Sequence, residues 1–330
     1  MTDPPHETGR AGRFAQEPPA SAGTPDRHPD PADYPIRWAW EDGPLTPGLT
    51  CVFRVKNEAR NLPWVLPPMF DAVQHVVLVD NGSDDGTAEV AQRVAEEHGA
   101  ADRFTLDRYP VQVARAGAEH LLTPPGSPRS LTYFYNWSFS HVRTTYSMKW
   151  DGDMVLTAEG VELLRDLSWQ LERSEAVVAI PRHPMSVESE SVAWLDLGYR
   201  FLEPWVYPMG PEFTFVKAFE WEVREFPPTS ERIVAPEGMC VELKWLDQDE
   251  FGHWSDTAFD PVRTPRKARE LEVNRALHEG RGHEIEGLKR IEAPAGVHVV
   301  DYVTKHWMQL EPRPLTLRLE LQETAPSGGA

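Results

Sequence analysis

Two apolar runs that stop at carboxylates constrain this chain more than anything else in it. The first is Val76-Val-Leu-Val-Asp80-Asn-Gly-Ser-Asp-Asp-Gly-Thr87 and the second is Lys149-Trp-Asp151-Gly-Asp153-Met-Val-Leu. A short apolar run that ends in an acidic turn reads as a buried strand whose C-terminal end opens a loop. In open α/β sheets that edge is where ligands bind. Two acidic strand ends suit a negatively charged ligand only if a divalent cation lies between them.

Strand and helix patterns alternate around these runs. Leu49 to Val55 and Phe104 to Tyr109 read as strands, as does Tyr146 to Trp150, which feeds Asp151. Asn61 caps a short helix that Pro67-Pro68 should end or kink. Thr87 caps a helix closed by Gly99. Leu131 to Arg143 and Thr157 to Leu171 are further helices, and Ala176 to Ile180 a further strand. The order predicts an α/β fold with a mainly parallel, twisted sheet flanked by crossover helices. Beyond about residue 186 the alternation breaks down into an irregular, aromatic-rich half. Within it a helix runs from Thr264-Pro265 to about His278, while Gly296 to Thr304 and the alternating Leu315, Leu317, Leu319 and Leu321 read as late strands. Residues 1–45, Pro-rich and poor in aliphatic side chains, should be disordered, as should 323–330. One domain, 46–322, lies between, divided near residue 185.

Composition narrows the partners. Lys+Arg is 33 against Asp+Glu 52, a formal net charge of −19. Such a surface repels nucleic acid and anionic lipid. It would also repel a nucleoside diphosphate, which argues again for a metal ion in the site. The 2 cysteines, Cys51 and Cys240, have no CxxC partner, which excludes a disulfide framework and fits a reducing compartment. No secretory leader pattern opens the chain, and no apolar run approaches the roughly 18 residues of a membrane span. A cytoplasmic protein is expected, or one peripheral to the inner face of the membrane.

Asp80-Asn-Gly-Ser-Asp-Asp-Gly-Thr87, with Val55-Lys-Asn-Glu-Ala-Arg-Asn61 before it and Asp151-Gly-Asp153 after it, resembles the family 2 glycosyltransferases, in particular soluble bacterial-type members. The resemblance covers residues 48 to 180 and implies the GT-A nucleotide-sugar-binding fold. It further implies an inverting, divalent-metal-dependent transfer from a nucleotide sugar, UDP-linked by default, to an acceptor hydroxyl. That acceptor could be a glycan, a lipid-linked sugar or a small molecule.

Residue by residue, Asp151 and Asp153 are the candidate metal ligands for Mn²⁺ or Mg²⁺, as hard oxygen donors, with Asp151 also on the donor. The plainer reading is a tight Asp-Gly turn. The resemblance places the base of the nucleotide on Asp80, which could equally open an Asx-turn. It places Glu58 and Asn136 on the donor. Family members often carry Pro-Thr-Tyr where this chain has Phe53-Arg54-Val55, and an Arg before the position of Asn136. Arg143 could stand in for that Arg or simply close a helix end. The general base is expected at Asp247, with Asp249 and Glu242 behind it. His253, His298 and His306 are candidates for a further metal ligand. Two other readings compete: a non-catalytic nucleotide-sugar-binding scaffold, and a sugar-phosphate nucleotidyltransferase. The latter lacks a convincing Gly- and Lys-rich phosphate loop.

Overall fold

A computed structural model describes residues 29–171, 175–248, 265–312 and 318–319. Within these residues the first half runs α1 (Ala39–Asp42), β1 (Thr46–Val55), α2 (Leu62–Ala72), β2 (His75–Asp80), α3 (Thr87–Glu97) and β3 (Phe104–Arg108). Then come α4 (Ala118–Leu122), α5 (Leu131–Phe139), β4 (Thr144–Trp150), β5 (Met154–Leu156) and α6 (Ala158–Gln170). The second half has strands β6 (Val177–Val187), β7 (Val192–Asp196), β8 (Phe201–Pro208), β9 (Phe215–Ala218), β10 (Trp221–Arg224), β11 (Arg232–Val234) and β12 (Cys240–Trp245). It closes with α7 (Pro265–His278), β13 (Leu288–Glu292), α8 (Val299–Lys305), α9 (Trp307–Leu310) and β14 (Arg318–Leu319).

Strands β3, β2, β1 and β4 form a parallel block, with Val55 opposite Asp80 and Phe53 opposite Trp150. Parallel strands share one C-terminal edge, so this register brings Val55, Asp80 and Trp150 to the same rim. β1 is buried on both faces, as expected of a central strand under helices on either side. Its Cys51 and Phe53 pack into the main core, while Val52 joins a second cluster with Val77, Val79 and Phe139. Beyond β4 the sheet turns mixed. β8 pairs antiparallel with both β4 and β6, and β6 pairs parallel with β12. β12 also pairs antiparallel with β5, opposing Glu242 to Met154. The fold is mixed α/β, a large sheet rich in parallel pairs and flanked by helices.

Three local expectations need correction. Helix α2 passes through Pro67 and Pro68 instead of stopping there. Its face of Leu62, Val65, Leu66, Met69 and Phe70 is buried in the core, and that packing outweighs two lost backbone hydrogen bonds. Residues 299–305 form helix α8, not a strand. Val299, Val300 and Val303 are buried at helical spacing, although all three are β-branched. Residues 31–33 and 39–42, within the segment expected to be disordered, form a 3-10 turn and α1. The Tyr34 ring lies 4.8 Å from that of Tyr109, and Tyr133 Oη donates to the Tyr34 carbonyl at 2.9 Å. A few aromatic rings give this otherwise polar stretch something to bury.

Candidate functional site

The loops after β1 and β2 are laced together at the shared rim. Asn57 N–H donates to Ser83 Oγ at 2.8 Å, Glu58 N–H to Thr87 Oγ1 at 2.8 Å and Ala59 N–H to Asp85 Oδ2 at 3.0 Å. In return Asp84 N–H donates to Asn57 Oδ1 at 3.0 Å. Gly86, with φ 87°, supplies the left-handed turn that starts α3, so Thr87 follows the cap position it was expected to fill. Asp80 Oδ1 accepts from the backbone N–H and the hydroxyl of Ser83, three residues on, so its side chain holds the loop that it opens. Beside it a cleft of about 230 Å³ is lined by Asp80, Ser83, Glu89, Arg108 and Pro110 among others. Asn81 Nδ2 donates to the carbonyls of Tyr109 and Val111, fixing the loop after β3 against this cleft.

Glu58 crosses from the β1 loop to the Asp151-Gly152-Asp153 turn. A Cβ added to Gly152 would lie 2.6 Å from Glu58 Cγ and 3.1 Å from Val55 Cγ1, so the turn is closed against this side chain. Glu58 Oε2 accepts from Asn61 Nδ2 at 2.7 Å, and Asn61 Oδ1 accepts from Trp245 Nε1 at 2.7 Å. Burial, and then the neighbouring Asp153 carboxylate, push the Glu58 pKa up to about 8.

Around the same turn the protein's own cations alternate with its carboxylates. Arg182 Nη1 lies 3.3 Å from Asp151 Oδ2, and its Nε lies 3.0 Å from Glu242 Oε2. Glu242 Oε1 is 3.0 Å from Lys244 Nζ, which reaches Asp153 Oδ2 at 2.8 Å. The turn itself closes the ring. Arg266 joins at Glu242 Oε1 (2.9 Å) and at Glu270 Oε1 (2.6 Å). Arg54 Nη2 stands 3.6 Å from Asp151 Oδ1, with its guanidinium stacked 3.8 Å from the Tyr135 ring. The Arg54, Arg182 and Glu242 side chains are 3%, 1% and 3% accessible, whereas Asp151 is 41% accessible and caps the cluster.

The ring sets the ionisation of its members. Burial raises the Asp151 pKa, but Arg182, Lys149 and Arg54 outweigh it and hold the carboxyl below its ordinary value. Asp153 is raised, by burial first, with Lys244 opposing and Glu242 and Asp151 adding to it. At Glu242, burial is overcome by Arg182, Lys244 and Arg266, which hold it well below the usual carboxylate range.

The other described residues singled out in the sequence lie outside this ring, Glu242 excepted. Asn136 uses both ends of its amide on the Phe215 backbone, at 2.8 and 2.9 Å, pinning the β9–β10 hairpin. Arg143 donates to the Ser140 carbonyl at 2.7 Å and closes the end of α5. Asp247 stands on the rim, 66% accessible, 2.6 Å from Arg60 Nη1, and Arg60 stacks 3.6 Å over Trp245. The hydrogen bond from Arg60 lowers its pKa. Glu242 is held ionised by Arg182, Lys244 and Arg266. Asp249 and His253 lie outside the described residues. His298 caps α8 through Val300 N–H and packs on Trp64, and His306 sits against Tyr302. Neither belongs to the ring.

Sequence reasoning missed Arg182, Lys244 and Arg266, and treated Arg54 as a departure from a pattern. One signal was available. Arg182 is a lone charge in the run Val177–Val187, and Glu242 and Lys244 alternate on one face of β12.

A divalent ion does not fit these residues as they are arranged. Both carboxylates of the turn are paired to protein cations, and Lys244 bridges Asp153 and Glu242 as a metal would. Among the described residues no group of three or more His, Cys, Asp and Glu side chains is placed to hold one.

No protein-family model matches the sequence, and no curated protein matches it. Among solved structures, a mannosyltransferase from Pyrobaculum calidifontis, in complex with GDP-Man and Mn²⁺, is similar over 43% of this chain and 39% of its own, at 21% identity and TM-score 0.31. TarS from S. aureus is similar over 59% of this chain and 36% of its own, at 12% identity and TM-score 0.37. Its fragment 1-349 is similar over 43% and 36%, at 15% identity and TM-score 0.28. In each case well under two thirds of the other chain is spanned. Among the described residues, no helix is long and apolar enough to cross a membrane.

Proposed function

We propose that the chain is a glycosyltransferase that binds a nucleotide sugar across the rim of β2, β1 and β4 and transfers the sugar, with inversion, to an acceptor hydroxyl. One observation carries this reading. Asp80, Glu58 and the Asp151-Gly152-Asp153 turn come from three separate sequence motifs, and the loops that hold them meet at one strand edge, with Glu58 packed on Gly152. The cleft beside Asp80 and Arg108 is where the base would lie, UDP being the default donor nucleotide. The diphosphate would then reach toward Asp151.

Asp247 is the proposed base: it is solvent-reachable and it stands at the end of the path Glu58–Asn61–Trp245–Arg60. An attacking hydroxyl would lose its proton there as the anomeric bond to the diphosphate breaks. Mn²⁺ or Mg²⁺ at Asp151 and Asp153 is the expectation that the resemblance brings, and the arrangement of those carboxylates speaks against it. Calorimetric titration of UDP and GDP tests the reading. Micromolar binding of one of them, weakened at least tenfold by Asp80→Ala, is expected; no binding of either to folded protein would remove it.

A further inference from the structure

We propose that the β9–β10 hairpin and the end of α4 form an apolar ridge that inserts into the surface of a zwitterionic lipid bilayer and holds the protein there without a spanning segment. This goes beyond the nucleotide-sugar reading and does not depend on it.

Exposure is concentrated in one place. Of the six strongly exposed large apolar side chains among the described residues, five stand on these two elements: Leu121 (46%), Leu122 (83%), Phe219 (80%), Trp221 (47%) and Val223 (41%). The elements are fastened together. Gly117 N–H donates to the Glu220 carbonyl at 2.7 Å, and Lys217 Nζ donates to the carbonyls of Leu121 and Thr123 at 2.8 and 2.6 Å. Strand alternation sorts the hairpin's faces. Phe215 and Arg224 are buried on the inner face, where Asn136 holds the Phe215 backbone, while Trp221 and Val223 point outward. The ridge is therefore built on a fixed base.

Phe219 is the sharpest part of it. Ala218 pairs with Trp221, so the turn is the two residues Phe219-Glu220, and Phe219 stands at φ 57°. A bulky side chain in that region strains the backbone. The fold recovers nothing from the ring, which is left in water. A phenyl placed at the narrow end of a hairpin projects outward. It can enter a fluid apolar phase with no matching pocket, with Trp221 at the level of the headgroups.

Size and charge choose the occupant. Five side chains fall far short of the roughly 20–30 residues a side of a stable protein interface, and a net charge of −19 repels a second copy. The same charge repels anionic lipid. Within residues 115–122 and 215–224 the exposed charges are Arg115, Glu119 and Glu220, and Lys217 is drawn inward onto carbonyls. No basic excess is left to hold anionic headgroups, whereas the two carboxylates suit the ammonium groups of zwitterionic ones.

Flotation of the full chain on density gradients with lipid vesicles tests this. Phosphatidylcholine vesicles should carry the protein upward. Vesicles of equal parts phosphatidylcholine and phosphatidylglycerol should carry about tenfold less at low salt, and the difference should narrow as salt screens the charge. Phe219→Gly combined with Leu122→Ser should lower the bound fraction on phosphatidylcholine about tenfold. Glycine suits φ 57° and Leu122 is exposed, so thermal melts should show both variants folded. Flotation with neither vesicle would overturn the proposal, as would a preference for phosphatidylglycerol or full binding by the double variant. A dimer in sedimentation velocity that the double variant loses, without vesicle binding, would assign the ridge to a second copy and overturn it too.

Discussion

Glu58 and Gly152 are in contact across the site: the glycine's missing Cβ would fall 2.6 Å from Cγ and 2.9 Å from Cδ of the glutamate. The contact ties the loop after β1 to the turn after β4, so the position of Asp151 and Asp153 depends on a side chain far away in sequence. Gly152→Ala must therefore push Glu58 or the turn aside. We expect a loss of about 1–3 kcal/mol in stability, the usual cost of overpacking. Nucleotide binding should weaken on the order of tenfold, because a displaced turn disturbs the charged network paired to Asp151 and Asp153. Trimming Glu58 to Ala in the same protein should restore much of the stability. Urea melts of the two single variants and the double variant measure that coupling.

Glu58 also predicts a pH dependence. Its folded pKa of about 8 lies above the ordinary 4.5. The unfolded chain therefore ionises first as pH rises, and the folded state loses stability between about pH 4.5 and 8. Glu58→Gln removes this slope. The variant should match wild type near pH 4 and exceed it at pH 8 by about 2–3 kcal/mol, below the full linkage value because the group is partly screened by solvent. Equal stabilities at both pH values would show that the carboxyl is not held protonated.

How much of this was legible in the sequence depends on the distance over which each feature is written. Asp80 and Asp151 could be placed at a strand edge because the apolar runs before them are local and stop abruptly. The helix that starts near Thr157 and the strand at His75 were readable for the same reason. Helix α8 was not, since Val299, Val300 and Val303 are strand formers that only the core made helical. Pro67 and Pro68 misled in the same way. The cations of the site were hidden for a different reason. Arg182 and Lys244 come from β6 and β12, which meet the Asp151-Gly152-Asp153 turn only through the pairing of β12 with β5 and β6. With those cations unseen, two acidic strand ends implied a metal.

Glu242 is the hub of that ring, and removing its charge should be costly. Glu242→Gln leaves Arg182, Lys244 and Arg266 facing a neutral amide, and roughly 3–5 kcal/mol is expected for breaking a buried pair from one side. The sign with pH is opposite to that of Glu58. Three cations depress the folded pKa of Glu242, so its contribution is present above pH 4.5 and is lost as pH falls below it. The gap between wild type and variant in urea melts should be wide at pH 7 and narrow toward pH 3.5. A gap that stays constant with pH would mean that the carboxylate's charge is not what the ring uses.

Arg60 and Asp247 carry the last expectation. Asp247→Asn should lower sugar transfer by about 10²–10⁴ while leaving nucleotide binding within a factor of two, as expected when a general base is lost and the donor site is intact. The partner makes the finer test. The Arg60 hydrogen bond, and its charge at 2.6 Å, lower the Asp247 pKa. The acid limb of kcat/KM should then lie below the ordinary carboxylate value, and Arg60→Met should move it upward toward about 4, with a modest gain in base strength above that pH. A profile that does not move in Arg60→Met, together with full transfer in Asp247→Asn, would place the base elsewhere and return Asp247 to the role of a rim charge.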